Sequence, residues 1–525
     1  MVLLERPPLF YPEISLTEFL KKRSDKLFDK YAIVHPMKLT YGDFWERVDK
    51  LATALVDLKV KNGDRVCLFE WSSPEFEIAF NAVIKIGAII VPLSPMSKEM
   101  ETEYIVNDSS AETMIVRDKL YPIVRKVLTK IPSMKRIIVI GRRIPNILSL
   151  DQLMNEYQPK PLTVDINPKE DLCVLPYTSG TTGLPKGVML THYNILSNIL
   201  QASTAFQVHK NDTSLNVTPF SHIFGMTVGM IMPLYIGATQ VIMKEFHREE
   251  FCKLIEKYKV TYAFLVPPIF IALVGYSDLL KHDLSSLRFV ANGAAPISPE
   301  VLKRFQKLTG VTVYHQWGLT EASPVVAGNP WYKIKVEFQG IPLSDTEHKV
   351  IDPETCKELP IGESGELVIK GPQVMKGYWN RPTETKEVFV TINGEKWLRT
   401  GDIAKIDEEG YEYILDRRKE IIKYKGFSVS PVELEKLLFT HPAVADCAVI
   451  GKPDFYAGEI PKAFVVTKPR IKSTSKEIID LVKNNIADYK WIREVEFIDS
   501  IPRMQSGKIL RRVLMEKERN RLLNF

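Results

Sequence analysis

The sequence predicts an α/β chain: a large N-terminal domain of layered αβ subdomains with a β-rich subdomain, then a small α+β C-terminal domain. Three observations carry this. Amphipathic helical stretches alternate with apolar strand stretches to about residue 340, the texture then changes to short alternating strands, and a dense charge run introduces a compact αβ pattern at the end. No repeat with a period of about 20–50 residues is present.

The first pass is TYGDFWERVDKLATALVDLKVKNGDRVCLF, from Thr40, which reads as an amphipathic helix, a glycine-containing turn and a strand. FEIAFNAVIKIGAIIVPL makes a second helix-to-strand pass. Met226 to Met243, MTVGMIMPLYIGATQVIM, is uncharged for long enough to raise the question of a membrane span. Pro233, Gly237 and the alternation after Ala238 favour a buried helix followed by a buried strand. From about Gly340 come short strands with turns such as PIGESG and TINGEK, a β-rich subdomain over about 340–416. After Asp416, DRRKEIIKYKG leads into the last domain, where Ser430-Pro431-Val432-Glu433 is a capping box with proline at the first helical position. The expected domains are therefore 1–416 and 417–525.

At 525 residues the chain exceeds one ordinary core. Its 45% apolar and 26% charged residues are ordinary for a globular protein. A net charge of +6 against 70 basic and 64 acidic side chains leans weakly toward anionic ligands and gives no case for nucleic acid. Cys67, Cys173, Cys252, Cys356 and Cys447 are scattered, without metal-ligand spacing, and read as reduced thiols in a cytoplasmic protein. MVLLERPPLF has Glu5 and two prolines where a signal peptide would be apolar.

YTSGTTGLPKG, Tyr177 to Gly187, gathers glycines, hydroxyl side chains and Lys186 in one loop, a composition that suits a phosphate. A Walker loop is excluded: Gly180 and Gly183 are too close, Pro185 precedes Lys186, and Gly187 stands where Ser or Thr is needed. LCVLPY before it and GVML after it read as strands, and the next helix starts at Thr191 as N-cap. Taken alone, the stretch also fits a plain surface hairpin.

The order of motifs closely resembles the acyl-adenylate-forming superfamily of acyl- and aryl-CoA ligases, peptide-synthetase adenylation domains and beetle luciferases. YTSGTTGLPKG is similar to its phosphate loop, HQWGLTE (His315–Glu321) to its central motif, and WLRTGD (Trp397–Asp402) to its ribose motif. DRRKEIIKYKG is similar to its hinge, PRMQSGK (Pro502–Lys508) to its C-terminal lysine motif, and Gly362 to Thr385 to a further segment. The match spans about Thr40 to about Leu514.

The resemblance implies a two-step reaction using ATP, Mg2+ and coenzyme A. A carboxylate attacks the α-phosphorus of ATP and releases pyrophosphate; a thiol then attacks the acyl carbon and releases AMP. It implies that Thr178, Ser179, Gly180, Thr181, Thr182, Gly183 and Lys186 hold the β- and γ-phosphates. Glu321, with Thr181, would hold Mg2+, and Thr320 would bond the α-phosphate. Asp402 and Arg417 would hold the ribose, with Ile414 also on the nucleotide. Trp317 would stack on adenine where the family usually has tyrosine, beside Gly293, Ala294 and Ala295. Lys419 would be the hinge of domain alternation, and Lys425, Gly426 and Phe427 would line the path of CoA. Singly, Glu321 also fits a helix-start carboxylate, Asp402 a turn residue and Trp317 a core residue.

Lys508 has a physical argument of its own. ILRRVLMEKERNRLL has helical spacing, which would put the lysine just inside a helix N-terminus, against the dipole, where a cation is better explained as reaching an anion. The resemblance makes it the lysine that bridges carboxylate and α-phosphate. Arg511, Arg512, Lys517, Arg519 and Arg521 read as a solvated face.

TPFSHIFGM, Thr218 to Met226, holds no acid where amino-acid-activating domains place an aspartate, which argues against amino acids. His222 matches a position that flanks the acyl group, or is a core histidine. Gly318 follows Trp317 where acetate-activating relatives have tryptophan, which implies an open floor, with Val228, Gly293, Leu319, Val325 and Val326 as lining. The expected acid is a medium- or long-chain fatty acid, with an aryl acid as the alternative. Luciferase-like oxygenation and the loading of a carrier protein are remoter alternatives. SHIFG superficially resembles an aminoacyl-tRNA synthetase motif, but no KMSKS-like partner accompanies it. The implied partners are small molecules, with no transmembrane segment, in a monomer or homodimer.

Overall fold

The computed structural model describes residues 6–523 except 179–184, 296, 298, 418, 419, 425, 426, 455, 456, 470, 472, 487, 505 and 506; of 416, 417, 423, 428, 519, 522 and 523 it describes the backbone only. Two nine-stranded sheets form the body of the molecule. In one, Tyr31–His35, Thr239–Ile242, Thr213–Asn216, Tyr262–Leu265, Phe289–Asn292 and Thr312–Gly318 lie side by side in parallel. Antiparallel strands Leu39–Thr40, Val325–Gly328 and Ile341–Pro342 extend it at its two edges. In the other, Leu172–Val174, Ile89–Leu93, Arg65–Phe69, Thr113–Arg117, Arg136–Ile140 and Leu148–Ser149 are parallel. Toward its far edge, Lys186–Thr191 is antiparallel to Leu172–Val174, Tyr177–Thr178 and the edge strand Gly377–Tyr378.

Parallel strands covered by helices on both faces read as unbroken apolar runs, and Ile89–Leu93 (IIVPL) is buried at all of its positions. The helices start where the caps put them. Thr40 and Asp43 form a reciprocal capping box before Tyr41–Asp57, and Thr191 and Asn194 do the same before His192–Ala205.

The uncharged stretch after Met226 is a buried helix and strand, as expected, but its first turns are π-helical over Gly225–Ile231 before Met232–Ile236. Gly225 permits this, because a Cβ there would stand 2.2 Å from the Pro219 carbonyl oxygen. Gly237, at φ 76°, then ends the helix ahead of Thr239–Ile242. Among the described residues, no helix is long and apolar enough to cross a membrane.

A third sheet contains Glu347–Ile351, Gly365–Lys370, Phe389–Ile392, Glu395–Ile406 and Glu412–Arg417. The TINGEK turn within it places both Asn393 and Gly394 at positive φ, which a two-residue hairpin needs to match strand twist. This sheet ends at Arg417, next to the expected boundary. A fourth sheet follows, made of Ile422–Tyr424, Phe427–Val429, Val444–Asp454, Gly458–Thr467 and Glu494–Phe497, with a core of its own around Leu434, Leu438, Val449 and Val465. Ser430 caps Pro431–Leu438 by accepting the Glu433 N–H. The five cysteines carry no disulfide, and all but half-buried Cys356 are buried.

Candidate active site

A cavity of about 530 Å³ opens where Thr312–Gly318 leaves the first sheet, within the size range of small-molecule sites. Its floor and walls come from the N-terminal part, and Met504 and Lys508 of the C-terminal part close it. Residues from HQWGLTE, from both arms of the glycine-rich loop and from the C-terminal lysine motif therefore meet in one place, although more than 300 residues separate the last two motifs.

On the phosphate-loop side, Thr178 and Lys186 line the cavity and pair with each other across the antiparallel ladder that frames the loop. Gly377–Tyr378 pairs with the outer side of the same strand, and the Tyr378 hydroxyl donates to Glu321 Oε1 at 2.8 Å. Lys186 Nζ lies 5.2 Å from the centre of the Tyr378 ring. Thr320 and Glu321 also line the cavity, on a short 3-10 turn, Thr320–Ala322.

No lysine or arginine among the described residues pairs with Glu321. Nor, among the described residues, do three or more His, Cys, Asp or Glu side chains cluster there as a metal cage. The cavity is also lined by Glu366, Glu384 and Glu387, but Glu321 is the carboxylate beside Thr320 and Tyr378, and one such carboxylate is a donor set Mg2+ accepts when it arrives on nucleotide phosphates, so the residues fit that ion.

Trp317 lines the cavity, and its indole N–H donates to Asp402 Oδ2 at 3.2 Å. Asp402 itself is 2% exposed and stands behind the indole instead of lining the cavity, next to Thr400 and Gly401, which do. Gly293 and Ala294 line it; Ala295 and Ile414 do not. Ile414 is held in its strand by its N–H to Gln339 Oε1 at 2.8 Å.

The acyl side has His222, Gly318, Leu319 and Val325 in the wall, with Ile223, Phe224 and Pro324 between them. Val228 and Val326 are fully buried and do not reach the cavity: Val326 alternates away from Val325 along its strand. His222 Nδ1 accepts the Phe224 N–H at 3.2 Å, which leaves the proton of the neutral ring on Nε2. Burial pushes its pKa down to about 4.

Gly318 has a local cause that the sequence does not display. The strand bulges between Trp317 and Gly318, and a Cβ at 318 would stand 1.9 Å from the Pro324 carbonyl oxygen. A side chain there would displace backbone, so the glycine is not by itself a measure of acid length.

Two expectations about the C-terminal segment are corrected. Lys508 precedes the helix Arg511–Leu523 instead of lying inside it; it sits on a closed turn in which Met504 N–H donates to the Lys508 carbonyl at 2.8 Å. The helix-dipole argument for Lys508 therefore lapses, and its place at the cavity is what marks it. Arg511 is not on a solvated face. It is 8% exposed and donates to Glu435 at 2.7 and 2.8 Å, to Glu420 at 2.5 Å and to the Val449 carbonyl at 3.1 Å.

Ser179, Gly180, Thr181, Thr182, Gly183, Lys419, Lys425, Gly426 and the side chain of Arg417 lie outside the described residues. Phe427 is exposed and stacks on Tyr489, with ring centres 4.8 Å apart. Sequence reasoning passed over Tyr378, whose segment it matched without assigning a role. It also passed over Gln316, a cavity-wall residue whose buried amide has no hydrogen-bond partner among the described residues.

With this geometry in view, two family models match the chain: AMP-binding enzyme over residues 20–379 and AMP-binding enzyme C-terminal domain over 433–508. The long-chain-fatty-acid–CoA ligase of Bacillus subtilis (strain 168) is 35% identical, over 97% of this chain and 95% of its own length. 4-Coumarate–CoA ligase 1 of Oryza sativa subsp. japonica is 38% identical, over 91% and 87%. An anthranilate CoA ligase solved with anthranoyl-AMP superposes with a TM-score of 0.90 at 29% identity, over 97% of this chain and 98% of that one.

The fold and the two-part cavity are those of an adenylate-forming enzyme, and the chain belongs to the AMP-binding enzyme family. Within that family it falls among the AMP-forming acid–CoA ligases, which use ATP with Mg2+ and take CoA as co-substrate.

Proposed function

We propose that the protein activates a medium- or long-chain fatty acid as the acyl-adenylate and passes the acyl group to CoA. The observation that carries this is the single cavity in which Lys508 from one part of the chain faces Thr320, Glu321 and Trp317 from the other, with Ile223, Phe224, Leu319, Pro324 and Val325 as an apolar stretch of its wall. An apolar wall recognises an acid by the surface it removes from water, about 25 cal/mol per Å2.

In this reading the phosphate loop and Lys186 hold the β- and γ-phosphates, and Thr320 bonds the α-phosphate. Trp317 takes the adenine and Asp402, with Arg417, the ribose. Mg2+, held at Glu321, supplies charge neutralisation when bound. Lys508 draws the carboxylate oxygen and the α-phosphate together; the new O–P bond forms as the bond to pyrophosphate breaks. Both reactants are anions, so alignment and charge neutralisation do most of the work. His222, neutral, presents its Nε2–H at the acyl wall. After adenylation, the turn about Lys419 removes Lys508 and brings Lys425, Gly426 and Phe427 to the CoA path. The thiolate then attacks the acyl carbon and AMP leaves with the C–O electron pair.

An aryl acid is the second reading, favoured by the amide of Gln316 and the imidazole of His222 in that wall, groups a hydroxylated ring could use. The test is ATP-dependent CoA-thioester formation with acetate, octanoate, palmitate, benzoate and 4-coumarate. Octanoate or palmitate should give the highest kcat/KM. A tenfold preference for 4-coumarate or benzoate replaces the fatty-acid reading with the aryl one.

A further inference from the structure

The turn that carries Lys508 is built before it meets the cavity. Gly507 N–H donates to the Met504 carbonyl and Met504 N–H to the Lys508 carbonyl, each at 2.8 Å, while Arg503 and Ile509 bridge across the base. Arg503 braces it from below: Nη1 donates to the Gly507 carbonyl at 2.7 Å, and Nη2 and Nε reach Asp446 of Val444–Asp454 at 2.7 and 3.3 Å. At its tip Gly507 has φ +83°, in the left-handed region, and a Cβ there would stand 2.6 Å from Cδ and 2.8 Å from Cγ of Pro268. Pro267 and Pro268 open the helix Pro267–Val274, directly after the strand Tyr262–Leu265 of the first sheet.

From this we propose that Pro268 is a docking shelf for the Lys508 turn and that Gly507, already favoured as glycine by its positive φ, is the surface that lands on the shelf. Proline suits a shelf: its ring has fixed φ, and at the first turn of a helix its missing N–H costs nothing. A glycine against a rigid ring sets how far the turn advances, so the pair fixes the depth to which Lys508 enters the cavity. Gly507 and Pro268 are positioning residues, acting through Lys508. The inference rests on the adenylation role proposed for Lys508.

The test separates the two half-reactions in the full-length enzyme: acid-dependent ATP–pyrophosphate exchange, and CoA-thioester formation from supplied acyl-AMP. Gly507→Ala should lower exchange at least tenfold and leave thioester formation within twofold. Pro268→Ala removes the two ring atoms that the added methyl would strike. The double variant Gly507→Ala/Pro268→Ala should therefore recover exchange at least threefold over Gly507→Ala, a coupling across the two parts of the chain that local distortion of the turn would not give. Undiminished exchange in Gly507→Ala, equal loss of both half-reactions, or less than twofold recovery overturns the proposal. Lys508→Ala is run alongside. If it keeps exchange, the reading of the site fails; if it abolishes exchange while Gly507→Ala does not, only the docking shelf fails.

Discussion

The indole nitrogen of Trp317 and the carboxylate of Asp402 are joined by a hydrogen bond of 3.2 Å. The bond links HQWGLTE to WLRTGD and fixes the carboxylate from behind the ring that faces the cavity. A phenol, the group usual at position 317 in the family, has no donor at that point of the ring. Trp317→Phe keeps an aromatic face and removes the N–H. A hydrogen bond to a charged group contributes about 1.5–3 kcal/mol, so the KM for ATP should rise roughly tenfold or more, with a smaller change in kcat. An unchanged KM for ATP would mean that Asp402 is oriented by its other neighbours.

Tyr378 bears on Glu321, the acid proposed to hold Mg2+. Its hydroxyl fixes one oxygen of Glu321, and its ring lies under Lys186. Tyr378→Phe keeps the ring and frees the carboxylate. The Mg2+ concentration for half-maximal nucleotide binding, read by titration calorimetry, should rise about three- to tenfold. The fold should be untouched, and identical Mg2+ titrations would remove Tyr378 from the site.

Arg511 and Arg512 are neighbours with opposite environments. Arg511 is buried between Glu435 and Glu420, while Arg512 is exposed and meets Glu516 at 3.3 Å along the helix. Breaking a buried pair costs about 3–5 kcal/mol, because the remaining charge stays uncompensated; an exposed i,i+4 pair contributes about 0.3–0.5 kcal/mol. Arg511→Ala should open the Val444–Asp454 region to hydrogen exchange, and Arg512→Ala should not. Equal protection in both variants would contradict this.

Stability should fall on the acid side through buried histidines. His192 and His315 are 0% and 4% exposed, and burial pushes both pKa values down to about 4. Above about pH 6.5 neither form of the chain holds the extra proton and the contribution is complete. Between there and pH 4 only the unfolded chain takes protons up, so stability drops as pH falls, by up to about 3 kcal/mol for each ring. The Glu70 carboxyl works in the opposite direction: burial raises it to about 7, against the pull of Arg117, so its contribution is lost as pH rises. Urea midpoints at pH 7 and pH 5 should differ less in His192→Phe than in the parent. An unchanged difference would shift the acid limb to other groups.

Much of the fold was legible because its signals are local. Thr40 with Asp43, Thr191 with Asn194, and Ser430 with Glu433 announce helix starts within four residues of chain, and Asn393-Gly394 announces a hairpin. What stayed hidden depends on distant partners. Gly318 is explained by a carbonyl six residues on, across a bulge, and Arg511 by acids more than 70 residues earlier. Helical spacing around Lys508 did not reveal that the turn joining Met504 and Lys508 takes Lys508 out of the helix. The site was legible as a set of motifs; that Tyr378 ties two of them together depends on a strand pairing, Gly377–Tyr378 on Lys186–Thr191, that spans nearly 190 residues.

Because Lys508 and Met504 wall a cavity whose other sides belong to the N-terminal part, whatever fills it touches both parts of the chain at once. Its binding free energy then acts as a strut between them. At a hundredfold excess over Kd that linkage amounts to about 2.7 kcal/mol, available only while the smaller part stays folded and seated. On the proposed site, the nucleotide would be a structural member for as long as it is bound, and its departure as AMP would withdraw the strut.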